Sequence, residues 1–332
     1  MASRRERIEA ALAGRVADRP PVAFWRHWAG DDQSAESHAA VSLAFQRTYD
    51  WDFIKVTTEG AVFHLVDWGV QTRINTSNLL GGREVAVNPF PKPADWARIK
   101  PIDVTQGMHG EHLRCLRRIR QEVGDDVPFL FTIFQPSTIA ERIVGLGDLA
   151  FQARRHPKDV TRLMEVFTET MLAYLREGMK TGAAGLFYAV GTAGYSMWSE
   201  AEYREFALPY DLAILKEAAA LGWFNLVHLC RLYPMFDLAL QYPVQVFNWD
   251  DQVTPPSLAE ARARTNATLV GGLDRNAHLL HGTPQEVQEK ALDAFRQAGR
   301  KGFMLGAGCT VTNVTPWRNL QAARQAVERM TA

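Results

Sequence analysis

Cysteine is scarce in this chain. Three occur in 332 residues, an odd number at wide spacing, which does not suit a disulfide framework of the secreted kind. Charge of one sign is missing too. The 37 basic residues balance 37 acidic ones, leaving no electrostatic footprint for nucleic acid or an anionic membrane. No apolar stretch approaches the roughly 20 residues that span a bilayer. The opening MASRRERIEAALAGR alternates charge with Ala and Leu at helical spacing and has no apolar heart, unlike a secretory signal. Low-complexity tracts, Pro/Ser-rich linkers and obvious internal repeats are also lacking, so one domain over 1–332 is expected. A 47% hydrophobic composition is ample for its core. These exclusions point to a soluble protein of a reducing compartment, the cytoplasm. It is expected to act on a small molecule, not on nucleic acid or membrane, and a homodimer is a compatible assembly.

What the chain does have is FNLVHLC at Phe224–Cys230 and, 79 residues after Cys230, a second cysteine closing GFMLGAGC at Cys309. Side chains alternate along a strand, so His228 and Cys230 would project from one face. Imidazole and thiolate side by side suit a borderline-soft ion such as zinc. With Cys309 they make three ligands and leave one tetrahedral position free, the pattern of a reactive zinc site rather than a structural one. By itself a His-x-Cys pair is more often a piece of core packing, so the weight rests on context.

Eight short apolar runs supply it: Val22–Trp25, Phe53–Thr57, Phe129–Phe134, Gly185–Val190, Leu226–Cys230, Val244–Trp249, Thr268–Leu273 and Phe303–Gly306. Amphipathic segments lie between most of them, at Gly110–Val123, Pro157–Thr181, Ser199–Leu221 and Thr283–Ala298. The last opens Thr-Pro-Gln-Glu, with proline at the first helical position and glutamate at the third. Strands alternating with helices imply parallel pairing with right-handed crossovers. Eight such units predict an α/β fold, a single (β/α)8 TIM barrel with its site at the strand C-termini. An N-terminal helix precedes it. The gap Glu59–Asp126, between the second and third strands, predicts a β-rich excursion or lid followed by a helix.

On this map polar residues gather at one end. Arg26 and His27 close the first run, Gln135 the third and Tyr188 the fourth. His228 and Cys230 close the fifth, Asn248 and Asp250 the sixth, Asp274 the seventh and Cys309 the eighth. That is where a barrel keeps its chemistry.

Six stretches then carry a family resemblance: RPPVAFWRHW (19–28), SEAEYREFALPYDLAIL (199–215), VHLC (227–230), VFNWDD (246–251), VGGLDRN (270–276) and GAGCTVTNVTP (306–316). In order and over nearly the full length, they resemble the uroporphyrinogen decarboxylase superfamily. Within it they look like the zinc-dependent branch of corrinoid methyltransferases that act on thiols. The resemblance implies a barrel with a deep central cleft. True heme-pathway decarboxylases resemble RQAGRY after the first strand. Here Arg26-His27-Trp28-Ala29-Gly30-Asp31 keeps only the first arginine. Their Asp after the second strand is absent from FIKVTTEG, and their late GHG is replaced by Gly308-Cys309. A polyanionic tetrapyrrole needs dense cationic clamps, so porphyrinogen decarboxylation is not expected. The methyltransferase branch uses His-x-Cys and a late Gly-Cys, matched at His228, Cys230 and Cys309. The cobalamin-independent methionine synthases distantly resemble the same scheme and add a carboxylate on the next strand, where Asp250 and Asp251 stand.

The expected activity is zinc-dependent methyl transfer. A thiol entering the fourth position would lose its proton yet stay nucleophilic toward a methyl group. That methyl group would come from a separate corrinoid protein or another activated donor. Asp250 is the candidate fourth ligand or partner of His228, or else a loop acid or helix cap. Arg26 would bind a substrate carboxylate, and Tyr188 joins these two as a catalytic candidate. Trp25, His27, Glu59, His64, Gln135, Asn248 and Asp274 are the expected substrate contacts, with Trp28 and Tyr195 lining the pocket. Each has a purely structural alternative. Cys115, on a helix, is assigned to packing or surface. Two rival functions stand beside this one: a metal-free decarboxylase or lyase acting on a smaller acid, and a non-catalytic ligand-binding barrel.

Overall fold

Runs of apolar residues flanked by helical segments can bury both faces only in a parallel sheet covered by helices, and every run from residue 53 onward does so. The computed structural model describes residues 1–28, 30–77 and 79–330. In it β1 (Ile54–Val56), β4 (Phe129–Phe134), β5 (Gly185–Val190), β6 (Leu226–Leu229), β7 (Val246–Trp249), β8 (Thr268–Leu273) and β9 (Phe303–Ala307) pair in that order, all parallel. β2 (Gln71–Ile74) and β3 (Arg83–Val87) form a separate antiparallel hairpin. Among the described residues no helix is long and apolar enough to cross a membrane.

The first expected strand, Val22–Trp25, is not a regular strand. It makes a single parallel bridge, Val22 with Leu305. Pro20 and Pro21 have no N–H to give to a ladder. The segment nevertheless closes the barrel. Leu305 N–H donates to Pro21 O and Ala23 N–H to Leu305 O on one side, and Asp52 N–H donates to Val22 O on the other. The fully buried Asp52 carboxylate supplies the missing acceptor at the seam. It takes the Val22 N–H (2.8 Å), Arg19 Nη1 (2.6 Å) and Arg7 Nη1 (3.3 Å).

The helices form largely where expected. Pro284–Ala298 is opened by a capping box from Thr283 and Glu286. The expected continuous helix over 199–221 is instead two, Glu200–Phe206 and Leu208–Leu221, broken at Ala207. Pro209 lies in the first turn of the second, where its missing N–H is harmless, but it cannot continue the first. The excursion contains a 3₁₀ segment Ala61–Trp68, the hairpin and the helix Gly107–Val123. It is tied back to the barrel mouth by Arg83 N–H to Glu59 O, Asn313 N–H to Leu79 O, and Asn88 Nδ2 to Ile143 O (2.7 Å).

Candidate metal centre

His228 lies on β6 with Asn248 beside it on β7, in register. Cys230 is the first residue past β6, and its N–H still donates to Val190 O on β5. The chain then turns sharply, and Arg231 takes a left-handed conformation at φ 79°. A side chain with a Cβ pays strain there, on the order of 1–2 kcal/mol. Nη1 and Nη2 of Arg231 donate to the fully buried Glu141 carboxylate, at 2.9 and 2.6 Å, which pins the turn. Cys309 follows β9 after Gly308. A Cβ on Gly308 would fall 2.4 Å from Asp250 Oδ1 and 2.6 Å from Asp250 Cα. Only glycine lets the Cys309 loop close on the end of β7.

These turns bring together three donors that are far apart in sequence. One ligand atom each from His228, Cys230 and Cys309 lies within 4.8 Å of the others, and Cys309 Sγ is 3.4 Å from His228 Nε2. Asn248 decides which imidazole nitrogen is free. Its Nδ2 donates to Val270 O (2.8 Å) and Ala307 O (3.0 Å), so its Oδ1, 2.7 Å from His228 Nδ1, must accept. Nδ1 therefore carries the proton, and the Nε2 lone pair faces the sulfurs. The hydrogen bond from Cys230 holds the Cys309 thiol well below its usual range against the effect of burial, and the Arg275 charge adds to it. The same bond, with burial, pushes Cys230 well above it. A nitrogen lone pair and two sulfurs turned toward one another form a donor set that fits a thiophilic cation.

The expected site residues divide. Trp25 is buried in the barrel with its ring 5.2 Å from Phe187, which lies 5.8 Å from the His228 ring. His27 donates from Nδ1 to Thr58 O (2.8 Å), senses the charge of Cys309, and is pushed down to about 4 by burial. Its Nε2 side meets Gly82 of the hairpin. Glu59 bonds Gln33 Nε2 (2.7 Å) and Arg83 Nε (2.9 Å), while its Oε1 is buried without a partner. Burial raises it to about 7. His27, Glu59 and Arg83 line a cavity of about 500 Å³ beneath the hairpin, together with Arg142. Asp250 stands outside the three-donor cluster. Its Oδ1 is buried without a partner, and burial and then Cys309 raise its pKa.

Other expectations are corrected by geometry. Asn248, not Asp250, is the partner of His228, and its amide is wholly engaged, leaving nothing for a substrate. Asp274 caps the turn that follows it by accepting the Asn276 (2.8 Å) and Ala277 N–H groups. Tyr188 and Gln135 point out of the barrel, because neighbours on a strand face opposite sides and Phe187 takes the interior. Both bond the buried Asp211 carboxylate, which also receives Tyr203 and Tyr242. Arg26 lies over the rings of Trp28 (4.4 Å) and Phe45 (6.0 Å), away from the donors. His64 is fully buried, accepting Phe134 N–H at Nε2 (3.2 Å) and bonding His109 through Nδ1 (3.1 Å). Tyr195 is exposed and bonds Glu200 (2.6 Å), and Cys115 is wholly buried. Two cations escaped sequence reasoning. Arg275 sits within GLDRN and senses Cys309, Asp250 and Cys230. Lys55 interrupts the apolar β1, and that interruption was the signal.

Residues 3–330 match the family described as uroporphyrinogen decarboxylase (URO-D). A methylcobamide:CoM methyltransferase of Methanosarcina acetivorans is 24% identical over 96% of this chain and 95% of that protein. One from Methanosarcina mazei is 26% identical over 68% of this chain and 66% of its own length. A solved methyltransferase from Methanosarcina mazei superposes with a TM-score of 0.85 at 20% identity, covering 99% of both chains. A B12-independent methionine synthase from a Shewanella species does so at 0.60 and 12%, covering 94% of this chain and 92% of that one.

Proposed function

The chain belongs to the uroporphyrinogen decarboxylase family, and from that premise we propose that it is a zinc-dependent methyltransferase acting on a thiol or similar nucleophile. One observation carries the reading: the Asn248 amide fixes the His228 Nε2 lone pair toward Cys230 and Cys309. His228, Cys230 and Cys309 would hold the ion. When bound, it supplies positive charge that lowers the proton affinity of an incoming thiol.

The chain's own residues do the rest. Asn248 keeps His228 neutral at Nε2 and correctly turned. Trp25 and Phe187 wall the interior with apolar rings, excluding water from the reacting sulfur. Asp250, with its unpartnered Oδ1 beside the Cys309 loop, is our candidate to take the proton the thiol gives up. The acceptor sulfur then bonds to the methyl carbon, and the bond to the donor breaks with its electron pair remaining there. Relatives named methylcobamide:CoM methyltransferases support a corrinoid-borne methyl group as donor, presented by a separate protein. The three cysteines, all unbridged, suit a cytoplasmic setting.

The test is metal analysis of protein purified without added metal, beside methyl transfer to small thiols. About one zinc per chain is expected, lost together with activity in Cys230→Ser and Cys309→Ser. Methyl transfer that persists in metal-free protein would overturn the reading.

A further inference from the structure

Among the described residues three that are not glycine hold a positive φ: Asp50 (56°), Arg231 (79°) and Tyr233 (53°). Asp50 caps the helix Ala35–Tyr49, a place where a left-handed aspartate is ordinary. The other two fall within three residues of Cys230, and neither is of the small polar kind that tolerates this conformation. Such strain persists only where the surroundings over-determine it. They do so here. Cys230 N–H donates to Val190 O (2.8 Å), and Tyr233 N–H donates to Thr254 Oγ1 (2.8 Å). Between these two anchors Arg231 reaches the buried Glu141, which lies on the helix Pro136–Val144. That helix is fastened to the end of β5, where Thr138 Oγ1 accepts the Gly191 N–H (2.9 Å) and Ser137 Oγ meets Thr192 Oγ1 (2.6 Å). Glu141 is thus fixed in the same frame that receives the Cys230 N–H.

A glycine would take the Arg231 turn without strain. An arginine there is explained by what its side chain holds, and it holds Glu141. We propose that Glu141 is a positioning residue of the metal centre. Acting through Arg231, it keeps the turn after Cys230 in its strained shape, and that shape sets where the Cys230 sulfur stands. The inference rests on the function proposed above. Without the clamp the Arg231 backbone relaxes toward negative φ, and the adjacent Cys230 moves with it. His228 is held separately by Asn248, and Cys309 by the close packing of Gly308 on Asp250. One donor of the three therefore shifts while the other two stay.

The test titrates the full-length protein with Co²⁺ and reads both its affinity and its sulfur-to-cobalt absorption. Arg231→Ala loses the clamp and keeps the strain. It should bind Co²⁺ roughly tenfold more weakly, the scale of a Cβ strained in this conformation, with the absorption band displaced. Arg231→Gly loses the same clamp and the same charge but takes the turn freely, so it should recover most of the affinity and the wild-type band. Equal weakening in the two variants overturns the inference, because the charge and not the turn would then matter. So does wild-type affinity in Arg231→Ala, or a band that stays in place, which would leave the clamp serving the fold alone. Should the unpaired Glu141 charge unfold Arg231→Ala by circular dichroism, Glu141→Gln leaves no such charge. Its neutral amide holds the guanidinium less firmly, so Co²⁺ should again bind more weakly, and adding Arg231→Gly should restore it. No weakening, or no restoration, overturns the inference. Failure of wild type to take up Co²⁺ removes the metal reading and this one together, whereas uptake indifferent to residue 231 removes this one alone.

Discussion

Asn248 shows how one amide can organise a site it never touches a substrate in. Its two N–H groups go to carbonyls of β8 and β9, so its oxygen has no alternative but to accept from His228. Asn248→Ala should therefore leave the three donors present but free the imidazole to turn, weakening metal affinity by about 10- to 100-fold. Competition with a chromophoric chelator measures this directly, and unchanged affinity would contradict the assignment. The donors themselves were legible in the sequence, because His-x-Cys at a strand end and a distant Gly-Cys are chemical signals. The roles of Asn248, Tyr188 and Gln135 were not. A polar residue at a strand end faces either the interior or the helices, and one position of register decides which.

At the level of elements, the excursion is fastened by buried histidines. His64 bonds His109, which bonds Asp67 (2.7 Å), and the His112 ring lies 5.4 Å from that of His38, tilted by 37°. Burial lowers His38 to about 4, and His64 and His112 well below their ordinary value. An unfolded histidine titrates near 6.5. Between about pH 6.5 and 4 the unfolded chain thus binds protons that the folded one refuses, so stability falls as pH falls through that window. Buried acids with raised values, Glu59 at about 7 and Asp211 and Asp251 at about 6, work in the opposite direction. The difference between two proteins isolates the histidine. From pH 7 to pH 4.5, wild type should lose about 2 kcal/mol more unfolding free energy in urea than His38→Gln does. Equal losses would show that His38 is not held neutral. Sequence placed the excursion correctly between the second and third strands. It read His64 as a substrate contact because a histidine's depth depends on neighbours as far away as Phe134, which no local pattern contains.

The whole molecule is a barrel closed by a segment that cannot form a proper strand, with Asp52 as the latch. Removing its carboxylate in Asp52→Ala takes the fully buried partner from Arg19 and Arg7, leaving them Glu328 and Asp18 alone, and strands the Val22 N–H, at a cost of about 3 kcal/mol. A thermal melt should show the loss as a shift of several degrees, and an unshifted melt would refute the latch. The architecture was readable from the alternation of runs and helices, and only the first run, Val22–Trp25, was read as a regular strand where the structure has a single bridge beside the seam prolines. The chemistry follows from where that closure puts the β6 and β9 ends. X-ray absorption at the metal edge of the purified protein tests it most directly. The account predicts two sulfur neighbours at about 2.3 Å and a nitrogen at about 2.0–2.1 Å, with one sulfur lost in Cys309→Ser. A coordination shell without sulfur would contradict it.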